Sequence, residues 1–123
     1  MKSITKSQAP LALSASSLTG TKVKNMEGES LGEIKEIMFD TSSGRISYLV
    51  LSFGGFLGMG DKLFALPWEP FIINSEDEEL ILKVDKEKLE NAPGFDKDHW
   101  PSTSEHDWLV DVYRYYEVRP FWI

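Results

Sequence analysis

The chain has 123 residues, 41% of them apolar and 12% aromatic, which suits one domain with a modest core and excludes a disordered chain. It contains no cysteine, so disulfides, zinc–thiolate sites, iron–sulfur clusters and thiol catalysis are excluded. The formal net charge is −7, yet residues 1–26 carry Lys2, Lys6, Lys22 and Lys24 and no acid, which leaves the rest at −11; such a body repels a phosphate backbone, and no nucleic-acid partner is expected.

Residues 1–13 are rich in Ser, Thr, Lys and Ala and read as a flexible tail, or as a basic partner-binding arm. The apolar stretch at 9–13 is too short and too broken for a signal peptide. No run approaches the roughly 20 apolar residues that span a bilayer. With cysteine absent, a cytoplasmic protein without a transmembrane segment is expected.

Ser14 is placed to cap a single helical turn before Gly20. Residues 21–24 read as a strand, followed by a turn at 25–29 in which Gly28 can take positive φ. Residues 31–40 form a second strand, although the pattern is ambiguous. Strict alternation puts Leu31, Ile37 and Phe39 on one face with Glu33 and Lys35, and helical spacing through Leu31, Ile34 and Ile37 fits as well. Gly32 weakens a helix, and a β-bulge near 35–37 would restore one apolar face. A turn at 40–44 leads into the clearest strand, 45–53, which is apolar on both faces and so is expected at the centre of a sheet.

Four glycines fall within residues 54–61. This stretch lacks the Gly-Lys-Ser/Thr ending of a phosphate loop and does not precede a helix. It is either a connection that uses glycine to bend or an apolar contact loop made by Phe56, Leu57 and Met59. Strands follow at 62–66, 71–74 and 79–84, with a Pro67-Trp68-Glu69-Pro70 break between the first two and an acidic turn at 75–78 between the others. That acidic run reads as a solvated turn; it lacks the ligand spacing of a calcium loop. Asp85 can cap a short helix at 86–91 that ends before Pro93-Gly94.

Residues 95–103 form a linker. His99 and His106, with Asp96, Asp98, Glu105 and Asp107 nearby, lack a standard ligand spacing and read as solvated, so no metal is expected. A second helix opens at Ser104 with Asp107 in a capping box. Trp108, Leu109, Val112, Tyr113 and Tyr116 recur on one stripe of it, and Pro120 stops it before Phe121 and Trp122. The aromatic and arginine content of 113–122 matches interface hot spots. The stripe either packs on its own sheet or forms an interface.

Four stretches together carry a family resemblance: LTGTKV at 18–23, ESLGEIKEIMFD at 29–40, GRISYLVLSFGG at 44–55 and KLFALPW at 62–68. They resemble the PRC-barrel family, which includes the cytoplasmic domain of the photosynthetic reaction centre H subunit and the C-terminal domain of a ribosome maturation factor. This sequence departs from both, lacking the former's transmembrane helix and the latter's preceding domain. The resemblance implies a mainly β fold: a small PRC-type β-barrel of about six short antiparallel strands with a helical C-terminal extension. It divides the chain into a tail at 1–13, a PRC-barrel domain at 14–92 and an extension at 93–123.

It also implies a module that binds other proteins and has no catalytic residues and no cofactor. The expected function is a non-catalytic protein-binding or assembly module that self-associates, as a homodimer, with any other protein partner unnamed. The candidate interface comprises Phe56, Leu57, Met59, Trp108, Tyr113, Tyr116, Phe121 and Trp122. The alternative is a small-molecule or ion-binding sensor. An enzyme would need converging nucleophile, base and oxyanion groups, and the sequence offers none in a known arrangement.

Overall fold

A computed structural model describes residues 13–54, 61–74, 76–96, 98–101 and 106–122. The chain forms α1 (Ala15–Leu18), β1 (Lys22–Asn25), β2 (Ser30–Phe39), β3 (Ile46–Gly54), β4 (Asp61–Leu66), β5 (Phe71–Asn74), β6 (Glu79–Leu82), α2 (Lys86–Glu90) and α3 (His106–Tyr115). The six strands make one sheet in the order β4-β3-β2-β1-β6-β5. The mainly β class, the six strands and the C-terminal helix expected from the sequence are all present.

Side chains set the tight turns. In the β1–β2 turn, Asn25 Oδ1 accepts hydrogen bonds from the Glu27 and Glu29 amides at 3.1 and 2.8 Å, and Gly28 takes φ +84°. In the β2–β3 turn, Asp40 Oδ2 accepts from the Ser43 amide at 3.0 Å and from its hydroxyl at 2.6 Å. Ser14 and Asp85 do sit at helix N-caps, but neither side chain makes a cap hydrogen bond.

The ambiguous segment is a strand, and it contains the bulge its pattern called for. Ile34 pairs with Leu51 and Glu36 with Val50, so Lys35 is the extra residue. That bulge brings Ile37 to the face of Ile34, and Ile37 packs against the core. A second irregularity lies against β1, where Val23 pairs with Gly32 and Lys24 with Ser30, so Leu31 is the extra residue; it lets both Leu31 and Ile34 enter the core, each 1% exposed, which strict alternation forbids. Phe39, by contrast, ends 64% exposed. β3 lies inside the sheet between β2 and β4, one place in from the β4 edge rather than at the centre, and Tyr48 to Phe53 are all buried, as a two-sided apolar strand requires.

Four of the five pairings are antiparallel, and β1–β6 is parallel. The reason lies at residues 67–70. β4 runs antiparallel to β3, and β5 runs antiparallel to β6, so the pairings make β4 and β5 point the same way. The chain therefore turns a corner there without reversing, and β6 arrives running with β1. Prolines at 67 and 70 suit a corner, since they lack the N–H that a continuing ladder needs.

The same corner shows that the sheet is rolled. In a flat six-stranded sheet the outer strands lie about 24 Å apart. The chain from Leu66 to Phe71 can reach no more than about 18 Å. The curled sheet encloses a core that includes Val23, Leu49, Leu51, Phe64, Phe71 and Leu82, all 0–1% exposed. Gly32 permits the tight β2–β3 approach: it takes φ +125°, and a Cβ there would collide with the Ser52 carbonyl.

The extension docks on this body. Phe95 exchanges two backbone hydrogen bonds with Leu63, at 3.0 and 2.8 Å, and so occupies the outer edge of β4. Leu89 anchors α2 in the core, 0% exposed.

Candidate functional site

α3 presents the stripe foreseen at 108–116. Val112, Tyr113 and Tyr116 are buried, and Trp108 and Leu109 are half-buried against the core. Trp108 meets Tyr48 edge-on at 5.4 Å and Phe95 at 6.4 Å, so it joins α3, β3 and the linker. The Tyr115 hydroxyl donates to the Lys88 carbonyl at 2.6 Å, tying α3 to α2.

The helix stops earlier than Pro120. Glu117 takes φ +58°, its amide donates to the Arg114 carbonyl at 3.0 Å, and the Val118 amide donates to the Tyr113 carbonyl at 2.9 Å. These are the paired bonds of a Schellman cap, with glutamate at the position that usually holds glycine. The reversal turns residues 118–122 back beside the helix. Tyr113 then lies 5.0 Å from Trp122 and 6.5 Å from Phe121, ring centre to ring centre, both near edge-on.

A small cavity opens where this returning segment meets the sheet. It holds about 300 Å³. Ile46, Tyr113, Val118, Trp68 and Phe121 are among the residues that line it. Arg45 stacks over the Phe121 ring at 4.5 Å, and Arg119 lines the same cavity, as does Glu69. Among the described residues neither arginine forms an ion pair. Trp68 is held by stacking on Phe71, 5.9 Å between rings and 18° between planes.

Burial dominates the chemistry of the phenols. It pushes the Tyr113 pKa up to about 12; Arg45 opposes the rise and Glu69 adds to it. Burial also raises Tyr48, and it raises Tyr116 with a smaller push from Tyr115. Groups held neutral this firmly are structural rather than acid–base groups near neutral pH. Among the described residues no three His, Cys, Asp or Glu side chains gather to hold a metal ion. His99 pairs with Asp96 at 3.6 Å, and both are well exposed.

Of the eight candidate interface residues, the structure brings five together on or beside α3. Tyr113 and Tyr116 are buried within the chain, while Trp108, Phe121 and Trp122 keep part of their surface. Phe56, Leu57 and Met59 lie outside the described residues, as do residues 1–12 of the expected tail. Arg45 and Trp68 were not foreseen as site residues. They are far apart in sequence and meet only because the sheet rolls, so no local pattern announces them. Arg119 had a signal, since it falls within the arginine- and aromatic-rich run.

The family model for the PRC-barrel domain matches residues 11–89. No curated protein matches the chain. A solved structure from Pseudomonas aeruginosa, described as the 16S ribosomal RNA processing protein RimM, is 22% identical with a TM-score of 0.46. The match covers 68% of this chain and 50% of that one, so this chain spans about half of that protein's length. No helix among the described residues is long and apolar enough to cross a membrane.

Proposed function

The chain belongs to the PRC-barrel domain family, and from that membership we propose that it is a non-catalytic protein-binding or assembly module that associates with a second copy of itself. The observation that carries this reading is the half-buried aromatic cluster Phe121–Trp122, seated on Tyr113 and flanked by Arg45. Tryptophan and arginine at a rigid, partly open surface are the side chains that contribute most when they become covered. Three tyrosines are committed to structure: the Tyr113 and Tyr115 hydroxyls hold backbone carbonyls, and Tyr116 is buried in the core cluster.

The proposed contact surface is Trp108, Phe121 and Trp122, with Phe56, Leu57 and Met59 as a second element on the strength of their composition. Tyr113 and Tyr116 support that surface from beneath. We also propose a cytoplasmic setting, supported by the absence of cysteine.

Light scattering across a concentration series tests the reading. The native chain should shift from monomer toward dimer mass, and the double variant Phe121→Ala/Trp122→Ala should remain monomeric while keeping its fold. A mass that is constant with concentration, combined with a melting temperature raised by a small ligand, would instead favour a sensor.

A further inference from the structure

The cavity beside Phe121 has features that an aromatic self-contact does not use. Its lining includes the apolar side chains of Ile46, Trp68 and Phe121, and two arginines, Arg45 and Arg119, against one acidic residue, Glu69. Its volume of about 300 Å³ lies at the small end of ligand pockets, which run to about 1,000 Å³. That space suits one large side chain rather than a cofactor. Arg45 lies over the Phe121 ring at 4.5 Å, and a guanidinium on an aromatic face can still receive a carboxylate through its in-plane N–H groups.

A second hollow of about 400 Å³ lies across Val118 and Arg119, which line both. Arg114 lines this second hollow and pairs loosely with Asp111 at 3.4 Å, both side chains about three-quarters exposed. Glu117 also borders it, and Lys88 faces Glu117 at 3.4 Å. Three arginines therefore border two adjoining hollows, alongside Glu69 and Glu117, on a chain whose net charge is −7. Two hollows that share a wall suit an extended chain, whose alternate side chains point the same way.

We propose that this surface takes an extended acidic peptide segment of a partner protein, with one aromatic or branched side chain seated between Trp68 and Phe121 and flanking carboxylates on Arg45 and Arg119. The assignment rests on the binding-module reading and names the chemistry of the partner. A nucleic-acid strand is the other anionic occupant, and the test decides against or for it.

The test uses the full chain, labelled with nitrogen-15, and three synthetic peptides: acetyl-Asp-Phe-Asp-Asp-amide, acetyl-Lys-Phe-Lys-Lys-amide and acetyl-Asp-Gly-Asp-Asp-amide. The first should perturb the amides of Arg45, Arg119 and Phe121 and the Trp68 indole. It should bind about tenfold or more tightly than either of the others. The variant Arg45→Gln/Arg119→Gln should erase the preference for acid over base while its spectrum stays dispersed. Arg119→Gln alone, which leaves the stack on Phe121 intact, should weaken that preference. Equal binding of acidic and basic peptides, or perturbation confined to another surface, overturns the proposal. So does a single-stranded oligothymidylate that binds these residues more tightly than the acidic peptide. Should the acidic peptide fail to bind while mass still rises with concentration, the peptide assignment falls and the binding-module reading stands.

Discussion

The Tyr113 hydroxyl donates a 2.6 Å hydrogen bond to the Ser47 carbonyl, and it does so at a bulge. Met38 pairs with Tyr48 and Phe39 with Ile46, so Ser47 is the extra residue at the edge of the β2–β3 ladder. A carbonyl left out of the ladder at a half-buried position needs a donor. The C-terminal helix supplies one from residues far along the chain, which makes Tyr113 the polar link between extension and sheet.

Two neighbouring tyrosines should respond oppositely to loss of their hydroxyls. Tyr113→Phe strands the Ser47 carbonyl and should cost about 1–3 kcal/mol. Tyr116→Phe removes a buried hydroxyl with no hydrogen-bond partner among the described residues, and should be neutral or stabilising by about 1 kcal/mol. Urea unfolding of both variants measures this. Equal losses would contradict the contrast.

Stability should fall in strong alkali for a defined reason. Burial holds Tyr113 neutral, with its pKa pushed up to about 12 from its ordinary 10.0. Above the unfolded value the unfolded phenol loses its proton while the folded one keeps it, so unfolding releases protons and rising pH favours it. The stability contributed by this group is complete below pH 10 and declines as pH climbs through its folded pKa. Tyr48 and Tyr116 shift in the same direction and add to the slope. Urea midpoints at about pH 9 and about pH 11 should differ, and less so in Tyr113→Phe. Absorbance titration of the phenolates should show these three ionising late.

Glu117→Gly should stabilise the chain by about 0.5–1 kcal/mol, because glycine adopts the left-handed cap without the steric cost that glutamate bears. The Lys88–Glu117 pair lost with it is 3.4 Å long with the glutamate 84% exposed, so its removal matters little. Thermal melting that falls rather than rises would count against this account of the cap.

Gly32→Ala should be among the most damaging single-methyl additions to the domain. The residue sits at φ +125°, and the added carbon meets the Ser52 backbone, which cannot move aside as a flexible side chain would. A loss of about 3 kcal/mol or more is expected, read as loss of cooperative unfolding at ambient temperature.

Much of this architecture can be read from local chemistry. Asp40, Ser43 and Gly44 announce a turn by type, and the conflicting spacing of Ile34 and Ile37 in one strand has a bulge at Lys35 as its physical solution, while the second break, at Leu31, is marked only by Gly32 beside it. The stripe from Trp108 to Tyr116 marks a helix, although the end at Glu117 is hidden because glutamate gives no cap signal. The parallel pairing of β1 with β6 is not legible, since it depends on the chain bending at 67–70 instead of reversing, and both events share the same proline-rich composition. The cavity is hidden for a related reason: Arg45, Trp68 and Phe121 become neighbours only after the sheet has rolled and the tail has turned back.

The corner at 67–70 also orders events in time. Strands β1 to β4 each pair with their sequence neighbour, so that meander can assemble through short loops. The β1–β6 ladder joins Lys22 to Glu79 and must draw together nearly the whole domain before any of its bonds form. Loop-closure entropy and contact order place that step late, after the transition state has gathered the meander. Val50→Ala in β3 should therefore slow folding, whereas Leu80→Ala in β6 should chiefly speed unfolding, a division that stopped-flow chevrons would expose. A direction that is never reversed at one corner thus makes the last ladder to form the one that closes the domain.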